Sequence, residues 1–233
     1  GVSIGMGGSR KMKVLGIDCS AGWTGVGLFS EDAVIADVNF FAGRKQSHLL
    51  PILVEDVLKK TGLGLSSLDA VAVTVGPGSF TGIKVGLSYA CALAEGAGKK
   101  VVPACSLLAL AAPFLDGKST LVPLIRARKG QVYFSVIEGE AKCPFIILPP
   151  DILPVSRLTA MEGLNSTRFI LAVGDPRLHQ DLAGTGILPS LTGFFRGGTV
   201  ALLGASSLDK AVDPGEVRAL YIREPDTGPG RDE

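Results

Sequence analysis

The chain has 233 residues, 23 Lys and Arg against 22 Asp and Glu, and a net charge of +1. Hydrophobic residues make up 46% and charged residues 19%, where about 25% charged is usual. That balance excludes general disorder, which needs low hydrophobicity and high net charge. It also argues against a chain that grips nucleic acid by itself, since phosphate neutralisation needs clustered cations. The shortage of charge leaves two readings: a surface partly covered by a partner, or Gly and Ala inflating the statistic.

The longest uncharged run near the middle, Val101 to Leu115, holds 15 residues and two prolines. It is short of the ~18 that a membrane span requires, so no membrane partner is expected. Residues 1–10 are Gly/Ser-rich and lack an apolar signal core, and residues 1–11 read as a tail. Cys19, Cys91, Cys105 and Cys143 show no C-x-x-C spacing and sit in apolar surroundings. They read as buried, reduced thiols of a cytoplasmic protein.

In chain order, residues 12–18 form a buried strand, 24–30 a second, and 33–41 a third after the polar turn Glu31-Asp32. The period then changes. Residues 47–61 read as a helix with Ser47 as N-cap, Pro51 in its opening turn and Gly62 as its stop. Residues 69–75 (DAVAVTV) are apolar throughout, as in a strand of a parallel sheet. A glycine loop leads into a second helix, about Thr81 to Glu95, and residues 100–104 give a further strand. Three antiparallel strands followed by αβ crossovers is the ribonuclease-H-like plan, one lobe of the actin/Hsp70/sugar-kinase (ASKHA) architecture.

A third helix over Ser106–Leu115 precedes a second series, with strands at 119–126, 131–138, 144–149 and 168–173. The turn Ala127–Gly130 joins the first two as a hairpin, and helical pieces fall at 156–163, 176–183 and 199–211. The expected fold class is therefore α/β with two ribonuclease-H-like lobes, residues 12–105 and a reduced copy at 106–223, then a charged, disordered tail at 224–233.

Two places carry phosphate-like chemistry. Asp18 ends the first strand, with Ser20 and Thr24 across a tight turn; it suits a metal or base role, or caps the turn through backbone amides. Gly76-Pro77-Gly78-Ser79-Phe80-Thr81-Gly82 joins a strand to a helix, where free N–H groups favour an anion. It lacks the Gly-Lys-Ser/Thr of a P-loop, and Ser79 or Thr81 equally serves as N-cap. Asp18, Ser20, Gly76, Gly78 and Ser79 thus form a candidate, vestigial nucleotide or anion site, with no resident cofactor or metal expected.

No catalytic set emerges. A metal site on the first helix needs a second His one turn after His48, and position 52 is Ile. His179 lies far away in sequence, and no Ser/His/Asp elbow is present. Arg126, Arg128 and Lys129 read as a solvated turn or as a weak basic patch for RNA.

The second helix carries Gly82, Gly86, Ala90 and Ala94 on one face, a stripe that permits close helix approach. The first is apolar over more than one stripe, with Leu49, Leu50, Leu53 and Val57 among its residues. Both helices therefore read as buried twice, once on their sheet and once on a partner; packing only within the chain is the alternative.

LGIDCSAGWTGVGLF at 15–29, Ser-His-Leu-Leu-Pro opening the first helix, and VGPGSFTGIKVGLSYACALA at 75–94 resemble the bacterial TsaB (YeaZ) family. RARKGQVYFSV at 126–136 and ALYIREPD at 219–226 extend the likeness. The resemblance implies a non-catalytic partner of the metal-containing transferase TsaD, joined by the ATPase TsaE. The process is formation of N6-threonylcarbamoyladenosine beside the anticodon of tRNAs reading A-starting codons. It implies contact through the two N-terminal helices, homodimers through overlapping surface, and tRNA only through the complex. Arg126 and Gln131 stand where the family often has acids. The competing expectation is an actin-like ATP-binding enzyme or a glycoprotease-like hydrolase acting alone.

Overall fold

The computed structural model describes residues 11–160, 168–172, 176–187 and 191–222. Strands β1 (Lys13–Asp18), β2 (Trp23–Ser30) and β3 (Ala33–Phe41) form an antiparallel meander. The β2–β3 turn places Glu31 and Asp32 at φ 54° and 69°, the pair of positive values that a two-residue turn needs to match strand twist. Helix α1 (Gln46–Thr61) crosses to β4 (Ala70–Gly76), and α2 (Phe80–Ala97) crosses to β5 (Lys100–Cys105). The sheet order is β3-β2-β1-β4-β5, with β4 parallel to both β1 and β5. The ribonuclease-H-like plan read from the sequence is the observed one.

Two caps differ in how well the sequence announced them. Gly62 ends α1 in the left-handed region, its N–H on the Leu58 and Lys59 carbonyls, as expected. Ser47 is not the N-cap: the helix starts one residue earlier, and Lys45 at the cap makes no side-chain bond. A short 3-10 turn over Gly43–Lys45 feeds α1 instead. On α2, Ser79 caps by accepting from the Gly82 N–H.

Helix α3 (Ser106–Ala111) runs into a 3-10 turn (Ala112–Phe114) and leads to the second sheet. This contains β6 (Leu121–Arg128), β7 (Gln131–Glu140), β8 (Cys143–Pro154), β9 (Arg168–Ala172) and β10 (Leu191–Gly193), in order β10-β9-β6-β7-β8. Strand β10 had no counterpart in the sequence reading; its three residues are too few for any period to register. Helix α4 (Pro176–Leu182) lies between β9 and β10, and its Leu178 and Leu182 pack on Val122, Leu124 and Val132. The expectations for 161–163, 173 and the tail at 224–233 fall outside the described residues.

Helix α5 (Gly197–Ala205) corrects the division into lobes. The sequence assigned everything after 106 to the second lobe, but α5 lies on the first sheet, with Val200, Ala201, Leu203 and Ala205 packed among Val14, Ala70 and Ala72. The approach is backbone on backbone. A Cβ on Gly16 would collide with Gly197 O and Ala201 N, and one on Gly27 with Gly198. Glycine in a strand costs entropy and leaves nothing to pack, so it marks close approach by another backbone. The chain then stays with the first sheet: Val212 bridges Val101, and Leu220 N–H donates to Val75 O.

The thiols divide. Cys19 is buried, but Cys143, expected inside, is exposed because it opens the edge strand β8. No helix among the described residues is long and apolar enough to cross a membrane.

Candidate functional site

Asp18, Ser20, the glycine loop and the starts of the two helices converge on one end of the first sheet. Strands β1, β3 and β4 point the same way, so Asp18, Phe41 and Gly76 finish together, and α1 and α2 start there. In α/β sheets this is the end where ligands usually sit.

Asp18 is fully buried, and its Oδ1 takes three donors: the Ser20 N–H (2.9 Å), the Ser20 hydroxyl (2.7 Å) and the Thr74 hydroxyl (3.1 Å). Oδ2 has no partner. Burial raises the carboxyl above its ordinary range, and the Ser20 and Thr74 bonds only partly offset it. Of the two amides foreseen as capped by Asp18, Ser20 is found and Thr24 is not. Burial, with the Asp18 charge behind it, pushes the Cys19 thiol up to about 12 against a lowering bond from Thr24. Such a thiol is no nucleophile at neutral pH.

The glycine loop closes over the same turn. Ser79 N–H donates to Ser20 O (2.7 Å), and a Cβ on Gly78 would strike that same carbonyl. A Cβ on Gly82 would strike Cys19 O, and Gly76, at φ 116°, lies against Leu220 O. The glycines expected to cradle an anion therefore seat carbonyl oxygens of this chain, and carbonyls repel phosphate. The amides of Ser79 and Gly82 are spent on Ser20 O and Ser79 Oγ. Asp18, Ser20, Gly76, Gly78 and Ser79 do come together, but as a closed joint.

Gln46, which the sequence reading passed over for His48, pins that joint. It is buried, and its Nε2 lies 2.8 Å from Ala21 O, 2.9 Å from Trp23 O and 3.3 Å from Cys19 O. Converging carbonyls leave no room for a second acceptor-seeking group. A polar residue on the core side of an apolar helix was the signal available. His48 is exposed, as is Ile52 one turn on. Among the described residues no group of three His, Cys, Asp or Glu is placed to hold a metal ion.

The small-residue stripe needs correction. Gly82, Gly86, Ala90 and Ala94 are buried within the chain itself. Gly86 faces Cys19 and Val73, and Ala90 and Ala94 join the core of Leu15, Ile17 and Val73. On α1, Leu50, Leu53 and Val57 belong to that same core, and Leu49 is partly buried against it. The stripe brings α2 onto its own sheet and so cannot meet a partner. What remains open is the outer side of both helices: a groove of about 470 Å³ lined by Ser47, Leu50, Lys84, Val85, Ser88 and Tyr89. Ile52, elsewhere on the outside of α1, is 51% exposed.

In the second lobe, Arg126 does not form a basic patch. Its Nε donates to Asp181 Oδ2 at 2.5 Å, with 13% and 11% of the two side chains exposed. Arg128 bonds Gln131 across the hairpin.

This is an α/β protein of two ribonuclease-H-like sheets, with the glycine loop seated on the backbone of the turn after β1 at one end of the first. The family model described as TsaD, tRNA N6-adenosine threonylcarbamoyltransferase, matches residues 40–179, more than half the chain. The tRNA threonylcarbamoyladenosine biosynthesis protein TsaB of Haemophilus influenzae is 40% identical over 105 residues, 44% of each chain. That of Escherichia coli is 32% identical over 126 residues, 53% of this chain and 54% of the relative. The solved structure of YeaZ from Pseudomonas aeruginosa superposes with a TM-score of 0.75 at 19% identity, over 90% of this chain and 99% of that one. The chain spans about half the length of the curated relatives it matches. It belongs to the family that this model describes, with TsaB proteins among its relatives in sequence and YeaZ among those in fold.

Proposed function

We propose that this chain is a non-catalytic subunit in tRNA threonylcarbamoyladenosine biosynthesis. It docks on the transferase TsaD through the outer faces of α1 and α2 and holds it in an active form, with TsaE joining the pair. The observation that carries this reading is the groove between the two helices, together with Ile52 half-exposed on the outside of α1. Exposed apolar surface of this kind marks a contact site. A second copy of the chain fits the same groove in TsaD's absence. The non-catalytic reading is supported by a buried Asp18, a thiol kept protonated, and Ile52 in place of a second histidine.

The test is Ile52→Glu and Val85→Glu, singly and together, in co-purification with TsaD. Both positions touch solvent, so the isolated variants should melt within a few degrees of wild type. A carboxylate buried against an apolar partner without compensation costs several kcal/mol, so affinity should fall about a hundredfold or more. Unchanged affinity in the double variant sinks the interface.

A further inference from the structure

The end of the first sheet carries a surface that the docking groove shares only at Lys84 and Ser47. Arg44 and Lys45 precede α1, His48 lies in its first turn, and Lys84 lies in the first turns of α2; all are exposed. Lys84 shares the groove wall with Ser47, which brings the two helix starts side by side. Arg196, also exposed, stands at the start of α5; a Cβ on Gly25, at the same end of β2, would meet Arg196 and Gly197. Arg44, Lys45, His48, Lys84 and Arg196 have no ion pair among the described residues.

Among the described residues, exposed and unengaged acids are missing from the loops of this end. The turn Cys19–Gly22, the loop Gly76–Ser79 and the segment Leu220–Ile222 contain none. Asp18 is buried, and Asp37 on β3 accepts from Gly198 N–H and from Asn39. The opposite end is mixed, with Glu31 against Lys11 and Asp213 near Lys100. A chain of net charge +1 has therefore gathered unpaired cations at one end of the sheet, four on the α1 and α2 side and Arg196 on the α5 side.

Aromatic rings alternate with them. Phe40 and Phe41 are 51% and 62% exposed, Phe194 44% and Tyr221 42%. Lys84 rides 4.1 Å over the Phe80 ring, which stacks against Tyr221 at 5.0 Å, and Arg196 lies over Phe194. Open rings set among unpaired cations match a single-stranded nucleic acid, whose bases stack while its phosphates take the charge. An acidic protein segment would satisfy the cations but leave the rings bare.

We propose that this end of the first sheet, from Phe40 through His48 with Lys84 and Arg196, is a surface for unpaired RNA that steadies the anticodon loop of tRNA. The inference rests on the reading of the chain as a subunit in tRNA modification. It replaces the hairpin at 126–129 as the place where RNA meets this subunit. Affinity is weak in the isolated chain and gains from the tRNA held by the transferase.

Fluorescence anisotropy of a labelled anticodon stem–loop tests this, on the full chain alone and with TsaD, beside a blunt RNA duplex of equal charge. Arg44→Glu with Lys45→Glu should weaken stem–loop binding about tenfold or more. It should also flatten the salt slope by about 1.4, for two lost phosphate contacts on a single strand. Phe40→Ala should weaken the stem–loop but not the duplex, with the slope unchanged. Lys59→Glu with Lys142→Glu, exposed cations elsewhere, should stay within about twofold of wild type.

Wild-type affinity in the Arg44/Lys45 variant, both alone and with TsaD, overturns the proposal. So does equal weakening by the Lys59/Lys142 variant, or equal binding of duplex and stem–loop. If the Arg44/Lys45 variant loses TsaD while RNA binding holds, the face takes an acidic protein instead. Loss of TsaD by Ile52→Glu with RNA binding retained supports both readings; retention of TsaD by that variant fails the docking reading alone.

Discussion

The two faces of the first sheet are packed by opposite means. Toward α1 and α2 the sheet offers Leu15, Ile17, Val26, Leu28 and Val73, and the helices answer with Leu50, Leu53, Val54 and Val57. Toward α5 it offers Gly16, Gly25 and Gly27, and the helix answers with Gly197, Gly198 and Gly204. The first face is stabilised by large apolar side chains removed from water, the second by backbones in close approach with mostly small side chains such as Ala70, Ala72 and Ala201 around them. The difference has a consequence for function. A face filled with side chains can present a second, outer surface on the same helices. A face closed by glycines holds its helix flush and leaves α5 fully committed.

The contrast breaks most sharply at Gly27. Its would-be Cβ points into the Gly198 backbone, which has no flexible end to move aside. Gly27→Val should therefore separate α5 from the sheet and cost more than about 4 kcal/mol, beyond ordinary overpacking. The measurement is urea unfolding, or recovery of soluble protein where the variant does not fold. A loss below about 1 kcal/mol would mean that α5 is not seated as described. On the other face, Leu50→Ala removes a fully buried side chain and should cost about 3 kcal/mol by the same measurement. Nothing about TsaD is needed for that loss, because the residue's contacts lie inside this chain.

How far these faces could be read from residues alone follows from what each one displays. The meander and its two crossovers were legible because β2 and β3 meet at a two-residue turn and β4 is apolar throughout. Helix α5 was legible as a helical piece at 199–211 but its seat on the first sheet was not, for it is apolar on every side, with seven of its nine residues buried. A helix without a polar stripe does not say what it lies against, and its partner glycines are more than 160 positions away. Gly16, Gly25 and Gly27 were the available signal, each in a strand that has no conformational need for glycine.

The candidate site divided in the same manner. The stripe Gly82, Gly86, Ala90 and Ala94 was correctly read as a close-approach surface, but small residues admit a sheet as readily as a foreign helix. Its true neighbours, Cys19 and Val73, became visible only in three dimensions. Asp18 and the glycine loop were correctly brought together, and the motif was silent on whether their amides faced solvent or Ser20 O. Gln46 was missed although its spacing from Leu50, Leu53 and Val57 sets it on the core side of α1, because a glutamine at a helix start reads first as a solvated residue.

The smallest expected effect concerns the charge enclosed where the filled face ends. Asp18 is held above its ordinary carboxyl range, mainly by burial, so the folded protein binds a proton that the unfolded chain has already released. In that situation stability is greatest below the unfolded value near 3.8 and falls as pH rises toward the folded value. This is the reverse of a salt-bridged carboxylate. Asp18→Asn keeps an oxygen for the Ser20 and Thr74 donors and removes the titration. The variant should therefore gain on wild type as pH climbs from about 4 to 7, whatever its absolute stability at the start. Parallel urea curves across that range read the difference directly, and a constant offset would show that Asp18 is ionised at no cost. A rising difference would show that the joint keeps a carboxyl whose charge it disfavours, in a place where the glycine loop admits no counter-ion.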